Sequence, residues 1–234
     1  MRLIGLVGGT TWLSTAEYYR HINELVADRL GGLHSARIVL HSVDFADVIA
    51  CGGRAEDEAA ILIDAARSVE RGGAQLLALC ANTAHVHAAA VAAAVSIPLV
   101  HLVDGVAERI REAGSTTVGV LCTHRSRDAA IFDAALSKTA DGRVLMPSAA
   151  EQTELDQAIL DFAHSGGSSR ESKLCVQGLV QELCRRGADG IVLGCTELPL
   201  MLKGAQSADT AIFDTTYIHA HSIVTHALFE QSRQ

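Results

Sequence analysis

Residues 76–85 read Leu76-Leu77-Ala78-Leu79-Cys80-Ala81-Asn82-Thr83-Ala84-His85, and residues 190–199 read Gly190-Ile191-Val192-Leu193-Gly194-Cys195-Thr196-Glu197-Leu198-Pro199. Each is a short apolar run that ends at a cysteine and gives way to residues that favour a helix start. An apolar run without polar alternation suits a strand covered on both faces, as in a parallel sheet. Similar runs lie at Leu3 to Val7, Ile38 to Val43 and Val118 to Leu121. Between them are stretches with helical spacing: Ser14 to Leu30, Ala55 to Arg71, Thr83 to Ala94, Val103 to Glu112, Arg127 to Ser137, Glu154 to His164, Lys173 to Arg186 and Tyr217 to Phe229. This alternation predicts an α/β fold.

The chain also repeats itself at about half its length, the pattern of a duplicated unit. Gly73-Ala74-Gln75, a strand and Cys80 are echoed by Gly187-Ala188-Asp189, a strand and Cys195. Ile4-Gly5-Leu6-Val7, a polar turn and the helix bearing Tyr18-Tyr19 parallel Val118-Gly119-Val120-Leu121, Cys122-Thr123-His124 and a helix with Phe132. Val103-Asp104-Gly105-Val106 and Phe213-Asp214-Thr215-Thr216 open comparable helices. Two similar pseudo-symmetric lobes are therefore expected, each a mainly parallel sheet flanked by helices, with Cys80 and Cys195 on opposite walls of the cleft between them. Ligands in such folds bind beyond the carboxyl ends of the strands. Ser165-Gly166-Gly167-Ser168-Ser169 reads as a loop between helices.

At 234 residues the chain is long enough for two such lobes. A hydrophobic fraction of 49% against 20% charged residues is that of a folded protein. The formal charge of -8 offers no basic stripe for phosphates, so nucleic acid is not an expected partner. The apolar run after Met1 is broken by Gly8 and Gly9 too early for a signal peptide or membrane span, which leads us to expect a cytoplasmic protein without membrane association. Its six cysteines include no Cys-x-x-Cys pair, and reduced thiols are expected.

Cys80 is expected at a strand-to-helix turn, with Asn82 or Thr83 capping the helix that follows. Backbone N–H groups and the helix dipole at such a place favour a thiolate and a bound carboxylate. Cys195, between Gly194 and Thr196, repeats the arrangement. Alone, either would pass as a small core residue; matching places in a repeat favour a chemical role. Two thiols across a cleft suit stereoinversion at carbon, one removing a proton and the other delivering one to the opposite face. Without a metal or a pyridoxal cofactor, oriented donors must stabilise the carbanion, and Asn82, Thr83 and Thr196 are the nominated donors.

Other signals have plainer readings. The histidines of His85-Val86-His87 and of His219-Ala220-His221 diverge on a helix and lack a completing ligand, so no metal site is expected. His85 and His219 would line the cleft or fix local hydrogen bonds, with His87 and His221 on a helix surface. Gly8-Gly9 lacks the spacing of a nucleotide fingerprint. Ser14 and Thr15 either cap their helix or also touch a substrate carboxylate, and Glu197 either orients Cys195 or makes a structural hydrogen bond. Cys51, Cys122, Cys175 and Cys184 read as packing residues.

Gly8-Gly9-Thr10-Thr11-Trp12-Leu13-Ser14-Thr15 with Tyr18-Tyr19 resembles the amino-terminal motif of aspartate/glutamate racemases, particularly their broad-specificity bacterial branch. Cys80-Ala81-Asn82-Thr83-Ala84-His85 resembles the family's first catalytic segment, Gly194-Cys195-Thr196-Glu197-Leu198-Pro199 its second, and Phe213-Asp214-Thr215-Thr216-Tyr217-Ile218-His219-Ala220 its closing motif. The resemblance runs nearly end to end. It implies a two-lobed α/β fold, racemisation by the Cys80 and Cys195 pair without any cofactor, an amino-acid substrate and a homodimer. It also implies lobe boundaries: residues 1–98 with 208–234 in the first lobe, 99–207 in the second. By analogy, Cys80 would take the proton from the D-enantiomer and Cys195 from the L-enantiomer. Thr10, Ser14, Thr15, Asn82, Thr83, Thr196 and Glu197 would surround the substrate. Where aspartate-specific relatives carry an arginine before a helix, this chain has Asp57, with Arg54 three residues earlier; where they carry a lysine, it has His164. Arg54 and His164 remain the candidates for a distal carboxylate, and Arg125 and Arg127 are unmatched. The alternative activities within the superfamily are a maleate cis-trans isomerase or a hydantoin racemase; a further reading is a non-catalytic amino-acid-binding protein.

Overall fold

The computed structural model describes residues 1–128, 130–132, 143–165, 169–202 and 210–228. The expected helix from Arg127 to Ser137 lies largely outside the described residues, as does the middle of the loop from Ser165 to Ser169. The chain divides into two compact units, one of residues 1–101 with 219–234 and the other of residues 102–218.

In the first unit, β1 (Ile4–Gly8) is central between β2 (Ile38–Ser42) and β3 (Leu76–Leu79), all parallel. A fourth chain segment extends the sheet beside β3: Leu77 donates its N–H to Pro98, and Val100 donates to Leu77. Alternate residues face opposite ways along a strand. Ile4, Leu6, Leu76, Ala78 and Cys80 therefore pack with Tyr18 and Ile22 of α1 (Trp12–Leu30) and with Ile223 and Val224 of the carboxyl-terminal helix. Val7, Leu77, Leu79 and Ala81 pack on the other side with Leu62, Ala65 and Val69 of α3 (Ala55–Arg71). The short α2 (Phe45–Ala50), capped by Asp44, joins β2 to α3. The expected helix from Thr83 to Ala94 is instead a 3-10 segment, Thr83–His87, and a short α4 (Ala88–Ala93).

In the second unit the sheet order is β5-β4-β6-β7, again all parallel: β4 (Thr117–Cys122), β5 (Arg143–Leu145), β6 (Gly190–Gly194) and β7 (Ala211–Asp214). One face is covered by α5 (Leu102–Ala113), through Val106 and Ile110. The other is covered by α7 (Ala149–His164) and α8 (Arg170–Arg185). The short α6 (His124–Asp128) follows β4, α9 (Leu198–Met201) follows β6, and α10 (Thr215–Leu228) follows β7. α7 begins earlier than its apolar spacing suggested because Ser148 and Glu151 form a capping box. Likewise, Ser169 caps α8 ahead of the expected start at Lys173.

The expected lobe boundaries need correction. Described residues from 210 to 218, assigned above to the first lobe, belong to the second unit because β7 pairs with β6 along its length. The two crossings, at 101/102 and 218/219, each follow the segment that borders the cysteine-bearing strand. That correspondence bears out the internal repeat. β5 and β7, too short and mixed to register as apolar runs, are recruited by their neighbours.

Candidate functional site

β1 ends in a tight turn that delivers α1. Gly9 has φ +100, and a Cβ there would lie 2.0 Å from the carbonyl oxygen of Val43, so only glycine fits. Its N–H donates to Thr15 Oγ1 at 2.9 Å, and the Thr15 hydroxyl donates to the carbonyl of Thr11 at 3.1 Å. Thr11 is the N-cap and accepts from the Ser14 N–H, while the two hydroxyls of Thr11 and Ser14 share a 2.8 Å hydrogen bond. Thr15 and Ser14 are buried and hold the turn together, which is the capping reading of the two. Thr10 lies in that turn, half-buried, and Trp12 at the start of α1 is exposed.

Cys80 follows β3 directly, its N–H donating to Val7 at 2.8 Å, and it is buried. Asn82, buried, occupies the cap position of the 3-10 segment in helical conformation without capping it through its side chain. Thr83 opens that segment, half-buried. Behind this turn stands a group of imidazoles. His85 Nδ1 donates to the carbonyl of Ala81 at 3.0 Å, leaving Nε2 buried with no hydrogen-bond partner among the described residues. Its ring meets His101 and His219 edge to face at 5.0 and 5.3 Å. His219 Nε2 donates to the carbonyl of Val100 at 2.9 Å, which fixes its tautomer, so Nδ1 accepts from the Tyr18 hydroxyl at 2.9 Å. Burial lowers the His219 pKa from 6.5 to about 4. Burial, with His219 and His101 beside it, holds His85 well below the ordinary value too. Sequence reasoning marked His85 and His219 but missed Tyr18 and His101 as their partners.

In the second unit, Cys195 lies one residue past the end of β6 and is buried. Its thiol donates to Glu197 Oε2 at 3.0 Å, and the same oxygen accepts from the Thr196 hydroxyl at 2.9 Å. Glu197 and Thr196 are buried as well. At the end of β4, Gln152 of α7 donates to the carbonyl of Cys122 at 2.9 Å, and Asp156 accepts from the His124 N–H at 3.0 Å. His164 is exposed at the end of α7, eight residues beyond Asp156 and so about 12 Å farther along the helix axis.

Several expectations are corrected by this geometry. Burial pushes the Cys80 thiol well above the usual cysteine range. Burial, then the charge of Glu197 and its hydrogen bond, raises Cys195 similarly. Both shifts favour the protonated thiol. The cysteines are also out of register with each other: Cys80 follows Gly73 by seven positions and Cys195 follows Gly187 by eight. Thus the residue of β6 aligned with Cys122 is Gly194, and Cys195 turns toward the α7 and α8 side of its sheet. His87, expected on a surface, is buried against Glu58 at 3.1 Å. His221 is half-buried and touches Arg29 at 2.6 Å. Arg54 is exposed and paired with Asp57. None of the six cysteines forms a disulfide. Cys51 and Cys122 are buried as packing residues; Cys175 and Cys184 are only partly so. Among the described residues no group of histidine, cysteine and carboxylate side chains is arranged to hold a metal, and no helix is long and apolar enough to cross a membrane.

A sequence profile described as Asp/Glu/Hydantoin racemase matches residues 7–223. The chain belongs to this family. Similar members include the broad-specificity amino-acid racemase RacX of Bacillus subtilis, 29% identical over 73% of both chains. A glutamate racemase of Roseiflexus is 33% identical over 70% of this chain, but the match spans only 60% of that longer protein. Among solved structures, a candidate Asp/Glu racemase from Yersinia pestis superposes with a TM-score of 0.85 at 34% identity, covering 97% of this chain and all of the other. Membership in the racemase family places the chain among the isomerases, and the match to two-lobed racemase structures agrees with its two parallel sheets.

Proposed function

We propose that the protein is a cofactor-independent amino-acid racemase in which Cys80 and Cys195 exchange a proton with opposite faces of the substrate α-carbon. The observation that carries this reading is the pair of thiols itself: each unit buries one cysteine just past the carboxyl end of a strand, Cys80 ahead of Ala81-Asn82-Thr83 and Cys195 ahead of Thr196. A binding protein has no chemical need for the second thiol.

One thiol must lose its proton before it can act. Glu197 is placed to accept from Cys195, and the α-ammonium of a bound amino acid supplies the positive charge that favours a thiolate in a buried site. The thiolate takes the α-proton, the C–H electron pair passes into the carboxylate, and the opposite thiol returns a proton to the other face. Asn82, Thr83 and Thr196, with Thr10 at the β1 turn, are the donors assigned to the substrate carboxylate. Thr15 is not a donor to substrate while its proton is committed to Thr11. The exchange of roles between the cysteines gives both directions, with Cys80 serving the D-enantiomer in our reading. A cytoplasmic homodimer belongs to the same reading.

The test is incubation with a panel of L-amino acids in deuterium oxide, following α-deuterium incorporation and D-isomer formation. A hydantoin and maleate are included to separate the sister activities. Exchange with inversion on amino acids, lost in Cys80→Ser and Cys195→Ser, supports the proposal; exchange on none of them rejects it.

A further inference from the structure

Gln152 lies on the face of α7 that covers its sheet, in helical spacing with Leu155 and Ile159, and is 3% exposed. Its Nε2 donates to the carbonyl of Cys122 at 2.9 Å and to Asp156 Oδ1 at 3.2 Å. Both partners are acceptors, which fixes the orientation of the amide and leaves Oε1 buried with no hydrogen-bond partner among the described residues. A buried acceptor left unsatisfied is costly and is compensated where a ligand supplies the donor.

The carbonyl that holds this amide is the last of β4, and Cys122 pairs with Gly194, the residue before Cys195. Neighbouring strands lie about 4.8 Å apart, and Gln152 and Cys195 share the α7 side of the sheet. The orphan oxygen therefore belongs to the carboxyl end of the sheet beside the second thiol, where α/β folds bind ligands. Asp156 polarises the amide through Nε2 and makes its oxygen a stronger acceptor, and Glu197 adds a second carboxylate at the Cys195 thiol. The positive end of α7 is offset by Glu151 in its capping box, while Arg127 and Arg186 donate to the carbonyls of Pro147 and Met146. Such surroundings favour a cationic donor. We infer that Gln152 Oε1 receives the α-ammonium of the substrate, which makes Gln152 a specificity-determining residue that selects free α-amino acids over carboxylates lacking the ammonium. The inference rests on the racemase reading above.

Ligand pairs that differ only in the amine isolate this contact. Calorimetric titration compares DL-aspartate with succinate, DL-glutamate with glutarate and DL-norleucine with hexanoate, in wild type and in Gln152→Met, a side chain of similar volume without the amide. Wild type is expected to bind the amino acid of at least one pair about tenfold or more tightly than its des-amino partner. Gln152→Met lowers that amino acid's affinity by about tenfold and leaves the des-amino partner unchanged. Gln152→Asn, which draws the oxygen back by one methylene, gives the same selective loss if the methionine variant does not fold. Equal weakening of both members of a pair marks a merely structural role and overturns the inference. Wild type that binds both members of every pair equally, or binds none, overturns it whatever the yield of the variants, and Oε1 then holds an ordered water only. None of these outcomes touches the racemase itself; exchange on no amino acid in deuterium oxide removes that reading instead.

Discussion

Acid should loosen the first unit through His219. This ring is fully buried between Tyr18 and the carbonyl of Val100, each at 2.9 Å, and burial lowers its pKa from 6.5 to about 4. Burial is the largest cause; His101 and His226 add to it, and the Val100 hydrogen bond opposes it. The unfolded chain binds its proton near 6.5 and the folded chain only near 4. The stability is therefore fully present above pH 6.5 and is lost progressively as pH falls toward 4. At about 1.4 kcal/mol per pKa unit, the loss is on the order of 3 kcal/mol, a large share of the stability of an ordinary domain. His85, shifted in the same direction, adds to it. Urea unfolding monitored by circular dichroism between pH 7.5 and 4.5 measures the effect. His219→Gln isolates it, since glutamine keeps an amide donor for Val100 but cannot be protonated. The variant should be less stable at pH 7.5 and lose less stability than wild type as pH falls, keeping only the part contributed by His85, with the two curves drawing together in acid. If wild type loses no more stability than His219→Gln across that range, the buried neutral imidazole is not what the structure implies.

Three further outcomes are expected. Cys80→Ser and Cys195→Ser should each abolish racemisation while leaving the circular dichroism spectrum unchanged; retained turnover in either rejects the pair. Thr15→Val removes the acceptor for Gly9 and the donor to Thr11 in a buried turn, and should cost about 1–3 kcal/mol in urea unfolding. Gly194→Ala would put a Cβ 2.6 Å from the Phe132 ring and 2.8 Å from Cys122 Cβ, so a destabilisation of about 1–3 kcal/mol should accompany lost activity.

The parts of the fold that were legible in the sequence are those where local pattern and tertiary demand coincide. The runs at Leu76 and Ile191 are apolar on both faces because helices cover both faces, so their place in a parallel sheet could be read directly. β5 and β7 could not. Arg143-Val144-Leu145 and Ala211-Ile212-Phe213-Asp214 are strands because β4 and β6 offer them partners, a long-range cause that leaves no periodic trace. The lobe boundary was misplaced for that reason. His87 went astray differently: its burial depends on Glu58, 29 positions away, and no spacing rule links the two.

The candidate site shows the same division, with a consequence for mechanism. Strand ends and helix starts located Cys80 and Cys195, but their protonation state depends on what surrounds them in space. A helix dipole acts over a turn or so, and only the short Thr83–His87 and Leu198–Met201 segments follow the two cysteines. Burial dominates both. The thiols nevertheless differ, since Cys195 has a carboxylate within hydrogen-bond reach, whereas the turn that carries Cys80 is backed by His85 and His219, whose burial disfavours the charged form. A symmetric sequence repeat has thus been given asymmetric electrostatics. If Glu197 is the acceptor for the Cys195 proton, Glu197→Gln should depress deprotonation of the L-enantiomer more than that of the D-enantiomer, visible as unequal initial rates of deuterium wash-in from the two at saturating substrate. Because an enzyme cannot alter the racemisation equilibrium, kcat/KM must fall equally in both directions. A loss shared equally by the wash-in rates as well would mean that Glu197 only holds Thr196 and the turn in place.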